Sequence, residues 1–317
     1  MKKVVVLGGG TGLSVLLRGL KLFPVDITAV VSVADDGSST GVLRREFNVP
    51  AVGDLRNVLV ALSEVEPLVE QLLQYRFDTD SDLNNHAMGN LLLTALYNIT
   101  GNLTESLTAL SKIFNIKGRV LPFTEDKPIL VAHTTSGEII EGESKITKAF
   151  KEIDYVEYKE DVRATEKVIS ALKKADLIIL GMGSLYTSVI PNLLDDRVVK
   201  VLRESTAKKM YVCNIMTEHG ETDGFAVSDC IKAINKYVGD NFIDVVVANN
   251  GVVPSNIIKL YEEENSEPIL LDRKELYEMG IKVIEDNLIK IINDQVRHDN
   301  IRTALDIFTY INNSGDV

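Results

Sequence analysis

The chain has 317 residues, with 34 Lys and Arg against 46 Asp and Glu, a formal net charge of −12, and 45% apolar residues. At about 150 residues per domain, this length allows one large α/β domain or two smaller ones, and the composition is that of an ordinary globular chain rather than a disordered, coiled-coil or collagen-like one. So acidic a surface repels phosphate backbones, which excludes a nucleic-acid partner held by a broad basic field but leaves room for one local anion site.

The N-terminus starts with two lysines, as a signal peptide does, but its apolar run spans only Val4 to Leu7 before glycine intervenes. A secretory core needs roughly 7 to 15 apolar residues and a membrane span about 20, so neither is expected. Cys213 and Cys230 stand 17 residues apart without metal-finger spacing. Cysteine this sparse argues against a secreted disulfide scaffold. The expectation is a cytoplasmic protein without membrane insertion; a homo-oligomer stays open.

Along the chain, short apolar runs end in polar or glycine-rich loops: 3–10, 26–37, 175–184, 209–220 and 244–251. Unbroken apolar runs without alternation imply strands buried on both faces, as in a parallel sheet. Helix-period segments lie between them, at Leu13 to Leu22, Val162 to Lys174 and Val227 to Tyr237. This βαβ rhythm predicts an α/β fold with a Rossmann-like, doubly wound, mainly parallel sheet, read as a single domain over 1–317. Two stretches depart from the rhythm. Residues 54–115 read as a helical insertion, with Leu55, Val58, Leu59, Leu62, Val65, Leu68, Val69, Leu72 and Leu73 at helical steps broken by Pro67, and a second helix from about Gly89. Residues 117–160 read as an antiparallel β-rich insertion comprising GRVLPF, KPILVAHTT and EIIEGESKI. The tail offers one more strand (PILLD), an alternating run (IKVIEDNLIKI) and a helix from about Asn300.

Gly8-Gly9-Gly10-Thr11-Gly12 joins the first strand to a helix. Glycines let the backbone turn sharply, and the helix start presents free N–H groups and partial positive charge to an anion. The dinucleotide fingerprint G-x-G-x-x-G is only partly met, because Leu13 stands at the third position after Gly10, and no Lys-Ser/Thr follows to make a P-loop. The second strand ends in Asp35-Asp36-Gly37-Ser38-Ser39-Thr40-Gly41. Its carboxylates suit a ribose, a Mg²⁺ ion against phosphate, or a solvated turn. Gly181-Met182-Gly183-Ser184-Leu185-Tyr186-Thr187-Ser188 makes a second anion cradle, with a helix start marked by Pro191. The polar loop Asn214-Ile215-Met216-Thr217-Glu218-His219-Gly220-Glu221-Thr222 falls at the same sheet edge, where ligands of open α/β sheets collect. Asp54, Arg56 and Asn57 open one insertion helix, and His86 and Asn90 the next. Asp54 can equally serve as a helix cap, and His86 lacks His, Cys or Glu neighbours at metal-ligand spacing. No nucleophile elbow is present, and Cys213 reads as core.

Together, GGGTGLSVLLRGLK, SVADDGSSTGVLRRE, GDLRN, NHAMGN, GMGSLYTSVIPNLL and NIMTEHGETDGF, in this order over nearly the whole chain, resemble the signature blocks of the gluconeogenesis factor family, the YvcK-type branch of the CofD-like proteins. The resemblance implies a Rossmann-like fold with inserted helices. It implies a relation to 2-phospho-L-lactate transferases, which move a phospholactyl group from a guanylyl donor to a deazaflavin alcohol with Mg²⁺. Nearer members are similar to cytoplasmic proteins that bind UDP-sugars, such as UDP-GlcNAc, and support growth and cell shape on gluconeogenic carbon sources. Carried over by position, Gly9, Gly10, Thr11 and Gly12 meet the nucleotide, and Asp35 or Asp36 stands at the acceptor or metal carboxylate. Gly183, Ser184, Leu185, Tyr186 and Thr187 hold phosphate, while Asn214 and Thr217 lie at the same mouth. Asp54, Arg56, Asn57, His86 and Asn90 fall in the remaining blocks, and the basic segment Arg297-His298-Asp299-Asn300-Ile301-Arg302 supplies positive charge for a diphosphate, with Arg302 as its candidate.

Three readings follow: a nucleotide-sugar binding protein, a Mg²⁺-dependent transferase using Asp35 or Asp36, and a nicotinamide-dependent oxidoreductase. The last is weakened by the missing glycine and the absence of an evident hydride-transfer acid/base pair. Phosphorylation at Thr303, beside Arg302, is chemically conceivable.

Overall fold

The computed structural model describes residues 1–64 and 67–313; Val65, part of the helical pattern above, lies outside them. In chain order come β1 (Lys2–Gly8), α1 (Gly10–Leu20), β2 (Val25–Val31), α2 (Ser38–Phe47), α3 (Gly53–Leu62), α4 (Pro67–Gln74), α5 (Met88–Thr100) and α6 (Leu103–Ile113). Next are β3 (Arg119–Pro122), β4 (Leu130–Thr134), β5 (Ile139–Glu141), α7 (Glu143–Ala149), β6 (Ile153–Tyr158), α8 (Glu166–Lys173) and β7 (Leu177–Leu180). A π-turn (Leu185–Val189) and a 3-10 turn (Ile190–Leu193) lead to α9 (Asp196–Glu204), β8 (Lys208–Val212), α10 (Val227–Val238), β9 (Val245–Asn249) and α11 (Ser255–Glu263). The chain continues with α12 (Arg273–Glu278), β10 (Lys282–Asp286), β11 (Ile289–Ile292), β12 (Gln295–His298) and α13 (Asn300–Asn313).

Seven parallel strands form the central sheet in the order β10-β9-β8-β7-β1-β2-β3. Its strands are buried on both faces, which is why they do not alternate. Val4, Val6, Ile27, Ala29, Ile179 and Met210 face one apolar layer, built with α1, α3 and α13. Val5, Leu7, Val30, Ile178, Leu180 and Tyr211 face the other, built with α8, α9 and α10. The direction of winding reverses between β1 and β7, so the loops after these two strands diverge and leave a crevice at the sheet's C-terminal edge. Helix α13 lies against α1 at Gly19, where a Cβ would stand 2.7 Å from the Asn300 carbonyl carbon. Only glycine allows this approach, so the last helix braces the helix that opens at the glycine loop.

Three expected elements differ. GRVLPF does not join the antiparallel insertion; as β3 it pairs parallel with β2 at the sheet edge, with Val120 and Leu121 buried against the core. In EIIEGESKI only residues 139–141 are strand. From Glu143 the chain turns helical, its first turn held by Asp36, whose Oδ1 accepts the Ser144 N–H at 2.8 Å. PILLD makes only single bridges, Met216 to Pro268 and Ala226 to Leu270, because its neighbours are loops without a free strand edge. The antiparallel part of the insertion is the sheet β5-β4-β6, docked by Val156 N–H donating to Tyr237 Oη at 2.7 Å and Tyr158 Oη donating to the Pro191 carbonyl at 2.9 Å. Among the described residues, no helix is long and apolar enough to cross a membrane.

Candidate functional site

Helix α1 starts without a cap from its own N-cap residue: Gly9 has no side chain and is extended, and Gly10 takes φ +65. The N–H groups of its first turn therefore have no intrahelical acceptor. The second glycine loop lies directly against the first. A Cβ on Gly12 would stand 2.8 Å from the Met182 carbonyl carbon and 2.9 Å from Gly183 N. Beside them opens a cleft of about 330 Å³, lined by Gly10, Thr11 and Gly12 from the first loop, Gly183, Ser184 and Ser188 from the second, and Asn214, Met216, Thr217 and Glu218 from the loop after β8. Its far wall is Tyr261 on α11 with Arg297 and His298 on β12. Asn214 joins two of these walls, with Nδ2 donating to the Gly183 carbonyl and to Glu218 Oε1, each at 3.0 Å. Burial raises the Glu218 pKa and lowers that of His298 to about 4, the Cys213 backbone opposing the latter shift.

On the other side of Gly9 lies a polar cluster. Asp54 Oδ2 accepts the Gly10 N–H at 2.7 Å, and a Cβ on Gly9 would stand 3.0 Å from that same oxygen. Asp35 accepts the Gly37 N–H at 2.9 Å and faces Gly53 and Thr40. Glu143 enters from α7. Desolvation raises Asp54 to about 7, with the Asp35 charge adding and the Gly10 N–H and Arg56 opposing. Glu143 rises to about 8 through desolvation and the charges of Asp35 and Asp54. Arg56 is buried; its Nη2 donates to Asn57 Oδ1 at 2.8 Å, its Nε has no hydrogen-bond partner, and it forms no ion pair among the described residues. Such a cation suits an anionic partner. His86 and Asn90 meet on the Ser39 hydroxyl, at 3.0 and 3.2 Å, and the Asn90 Oδ1 is left unpaired.

The structure thus divides the sequence candidates. Gly10, Thr11, Gly12, Gly183, Ser184, Asn214 and Thr217 come together on the cleft; Asp35, Asp54, Arg56, Asn57, His86 and Asn90 gather in the cluster behind Gly9. Asp36 departs from Asp35, since its carboxylate caps α7. Leu185, Tyr186 and Thr187 are buried and do not line the cleft. The Tyr186 N–H and the Thr187 hydroxyl both donate to Glu221, at 3.0 Å each. The expected phosphate cradle therefore already holds a protein carboxylate, raised to about 8 by burial and the Glu218 charge. Arg302 is half-exposed and faces Asp286 at 3.5 Å and the Asn287 carbonyl at 3.2 Å. Arg297, from the same basic segment, is the arginine that lines the cleft. Thr303 is fully buried and its hydroxyl donates to the Asp299 carbonyl. For the expected Mg²⁺, no three His, Cys, Asp or Glu among the described residues are placed to hold a metal ion.

Sequence reasoning missed Tyr261, Arg297, Glu143 and Glu221. Glu221 lay within a quoted block and Arg297 beside the chosen Arg302, but only the fold shows that β12 presents Arg297 to the cleft and that α7 carries Glu143 to Asp54.

The sequence profile of the 2-phospho-L-lactate transferase CofD family matches residues 4–289. The chain belongs to the CofD family. Within it, the chain is 46% identical to the gluconeogenesis factor of Bacillus subtilis over 303 residues, 95% of this chain and 96% of that protein. It is 46% identical to the gluconeogenesis factor of Halalkalibacterium halodurans over 299 residues, 94% of this chain and 93% of that one. A crystal structure of a Bacillus halodurans protein superposes with a TM-score of 0.94 at 45% identity, covering 97% of this chain and 99% of that chain. The CofD family's α/β fold is therefore the fold of this chain; the polar cluster and the cleft walls from the glycine loops, the loop after β8 and α11 lie within the matched residues, while Arg297 and His298 lie beyond them.

Proposed function

We propose that this protein is a gluconeogenesis factor that binds a nucleotide-sugar, a UDP-sugar such as UDP-GlcNAc, and supports growth and cell shape on gluconeogenic carbon sources from the cytoplasm. The observation that carries the reading is the cleft at the switch point. There the start of α1, where Asp54 takes only the Gly10 N–H, faces Ser184, Asn214 and Thr217 across a space with Arg297 on its rim. A diphosphate would take N–H donors from the Thr11–Gly12 turn and charge from Arg297, and the Tyr261 ring offers a flat apolar face to a base or sugar. The expected result is a rise in Tm with UDP-GlcNAc. A ligand at about 100 times its Kd adds ~2.7 kcal/mol to the folded state, measurable by thermal shift against GDP and NAD as competing arms. A folded protein whose Tm stays unchanged in millimolar UDP-sugar would refute the reading, and a shift with NAD alone would revive the oxidoreductase.

One observation favours a second reading, a CofD-like transferase of a phosphorus-containing group. The Asp35, Asp54 and Glu143 carboxylates sit behind the same glycine loop as the cleft, with Asp54 on the Gly10 N–H. A proton held by Asp54 or Glu143 near neutral pH can be exchanged with an acceptor hydroxyl, and Arg56 can hold an acceptor's negative charge. Turnover of a nucleotide-linked donor, lost in Asp35→Asn with affinity retained, is expected if the cluster is catalytic. Equal turnover in wild type and variant would remove Asp35 from the mechanism.

A further inference from the structure

We propose that Glu221 is the positioning residue of the cleft: its buried carboxylate staples the β8–α10 loop to the turn after β7 and so sets the spacing between the cleft's two polar walls. This deepens the ligand-binding reading above and rests on it.

Glu221 is 5% exposed and reaches back 35 residues to the Tyr186 N–H and 34 to the Thr187 hydroxyl, with one carboxylate oxygen on each at 3.0 Å. These two donors belong to a turn that directly follows Ser184, a cleft residue. On its own side Glu221 closes a tight loop: its N–H donates to the Glu218 carbonyl at 3.0 Å, and the Glu218 N–H donates to Thr222 Oγ1 at 2.8 Å. Glu218 is the residue that Asn214 joins to Gly183. The path from the staple to the cleft is therefore continuous: Tyr186 and Thr187 to Glu221, Glu221 to Glu218, Glu218 to Asn214, Asn214 to Gly183. The loop's outer side is held as well. Thr217 exchanges bonds with Glu267, and a Cβ on Gly220 would stand 2.8 Å from Phe150 Cα. A segment fixed on both sides presents Asn214 and Thr217 at one set distance from Ser184. Without Glu221 the inner fixing is lost, and two buried donors on the β7 side are left unpaired.

This arrangement also decides which anion cradle a ligand can use. The donors of the 186–187 turn are filled from within the protein, so the ligand's anionic end is directed to the Thr11–Gly12 side. The second glycine loop contributes shape and the Ser184 hydroxyl.

The test is isothermal titration of UDP-GlcNAc into the full chain as wild type, Glu221→Ala, Glu221→Gln and Thr187→Val, with amide hydrogen exchange on each ligand-free protein. Glu221→Ala is expected to weaken affinity about tenfold or more and to raise exchange in residues 214–218. Glu221→Gln, whose amide oxygen still accepts the Tyr186 N–H, is expected to restore affinity to within about threefold. Thr187→Val removes one bond only, keeps the proposal testable should Glu221→Ala fail to fold, and is expected to weaken affinity about threefold. Unchanged affinity and exchange in folded Glu221→Ala, or in Thr187→Val if Glu221→Ala does not fold, would overturn the proposal. So would equal losses in the Ala and Gln variants, because an acceptor oxygen retained on the Tyr186 N–H would then not suffice to hold the loop. If wild type binds no UDP-GlcNAc, the ligand reading fails by itself, and the exchange data still report whether Glu221 holds the loop.

Discussion

Gly12→Ala is expected to lower the unfolding free energy by about 1–3 kcal/mol and to weaken nucleotide-sugar binding at least tenfold. The added Cβ would stand 2.8 to 2.9 Å from three backbone atoms of Met182 and Gly183, none of which can rotate away as a side chain can. The two glycine loops must then separate by several tenths of an ångström, at the floor of the cleft they share. Gly37→Ala is the matched control. Its backbone is extended, at φ −84, and its Cβ would meet only Asp35 Oδ1 at 3.4 Å and Ser144 Cβ at 3.7 Å. Urea unfolding and titration calorimetry on both variants check this. A Gly12→Ala protein with wild-type stability and affinity would show that the contact between the loops yields without cost.

Stability is expected to fall as pH rises from 6.5 to about 8.5. Asp54, Glu143 and Glu221 have pKa values raised from 3.8, 4.5 and 4.5 to about 7, 8 and 8. A carboxyl raised in the folded state binds more protons folded than unfolded between the two pKa values, so its contribution becomes less favourable as pH climbs through that window. His298 acts oppositely: lowered from 6.5 to about 4, it costs stability as pH falls below 6.5 and contributes no slope above it. Across the alkaline half of the window only the carboxyls act, and a loss of at least about 2 kcal/mol is expected for the three together. Denaturant unfolding at several pH values measures it, and Glu221→Gln, neutral throughout, should flatten the slope. A flat profile from pH 6.5 to 8.5 in the wild type would contradict the burial of these groups.

The parallel central strands and the helices between them were largely legible because doubly buried strands leave unbroken apolar runs, as in VVVL and LIIL, each followed by glycine where the chain must turn. The errors came where tertiary context overrode a local pattern. GRVLPF reads like any exposed hairpin strand until β2 offers it a parallel edge. GESKI turns helical because Asp36, more than 100 residues earlier, supplies an acceptor for its first turn. At the site, the glycine loops announced themselves, since close backbone approach needs glycine whatever lies beside it. The partners of their N–H groups did not. That Asp54 fills one of them and Glu221 another is a fact of three-dimensional closure, written in no spacing. Arg297 and Arg302 share one basic stretch, and only the fold, which puts the first on β12 at the cleft and the second on α13 beside Asp286 and Asn287, distinguishes them.

The walls of the cleft come from the first loop of the chain, from loops in its middle and from the hairpin near its end, β11 with β12. No fragment that stops before Arg297 possesses the complete pocket, however well its early strands have assembled. Substitution of Arg297, which leaves α13 in place against α1, should therefore behave as a loss of recognition before it behaves as a loss of fold.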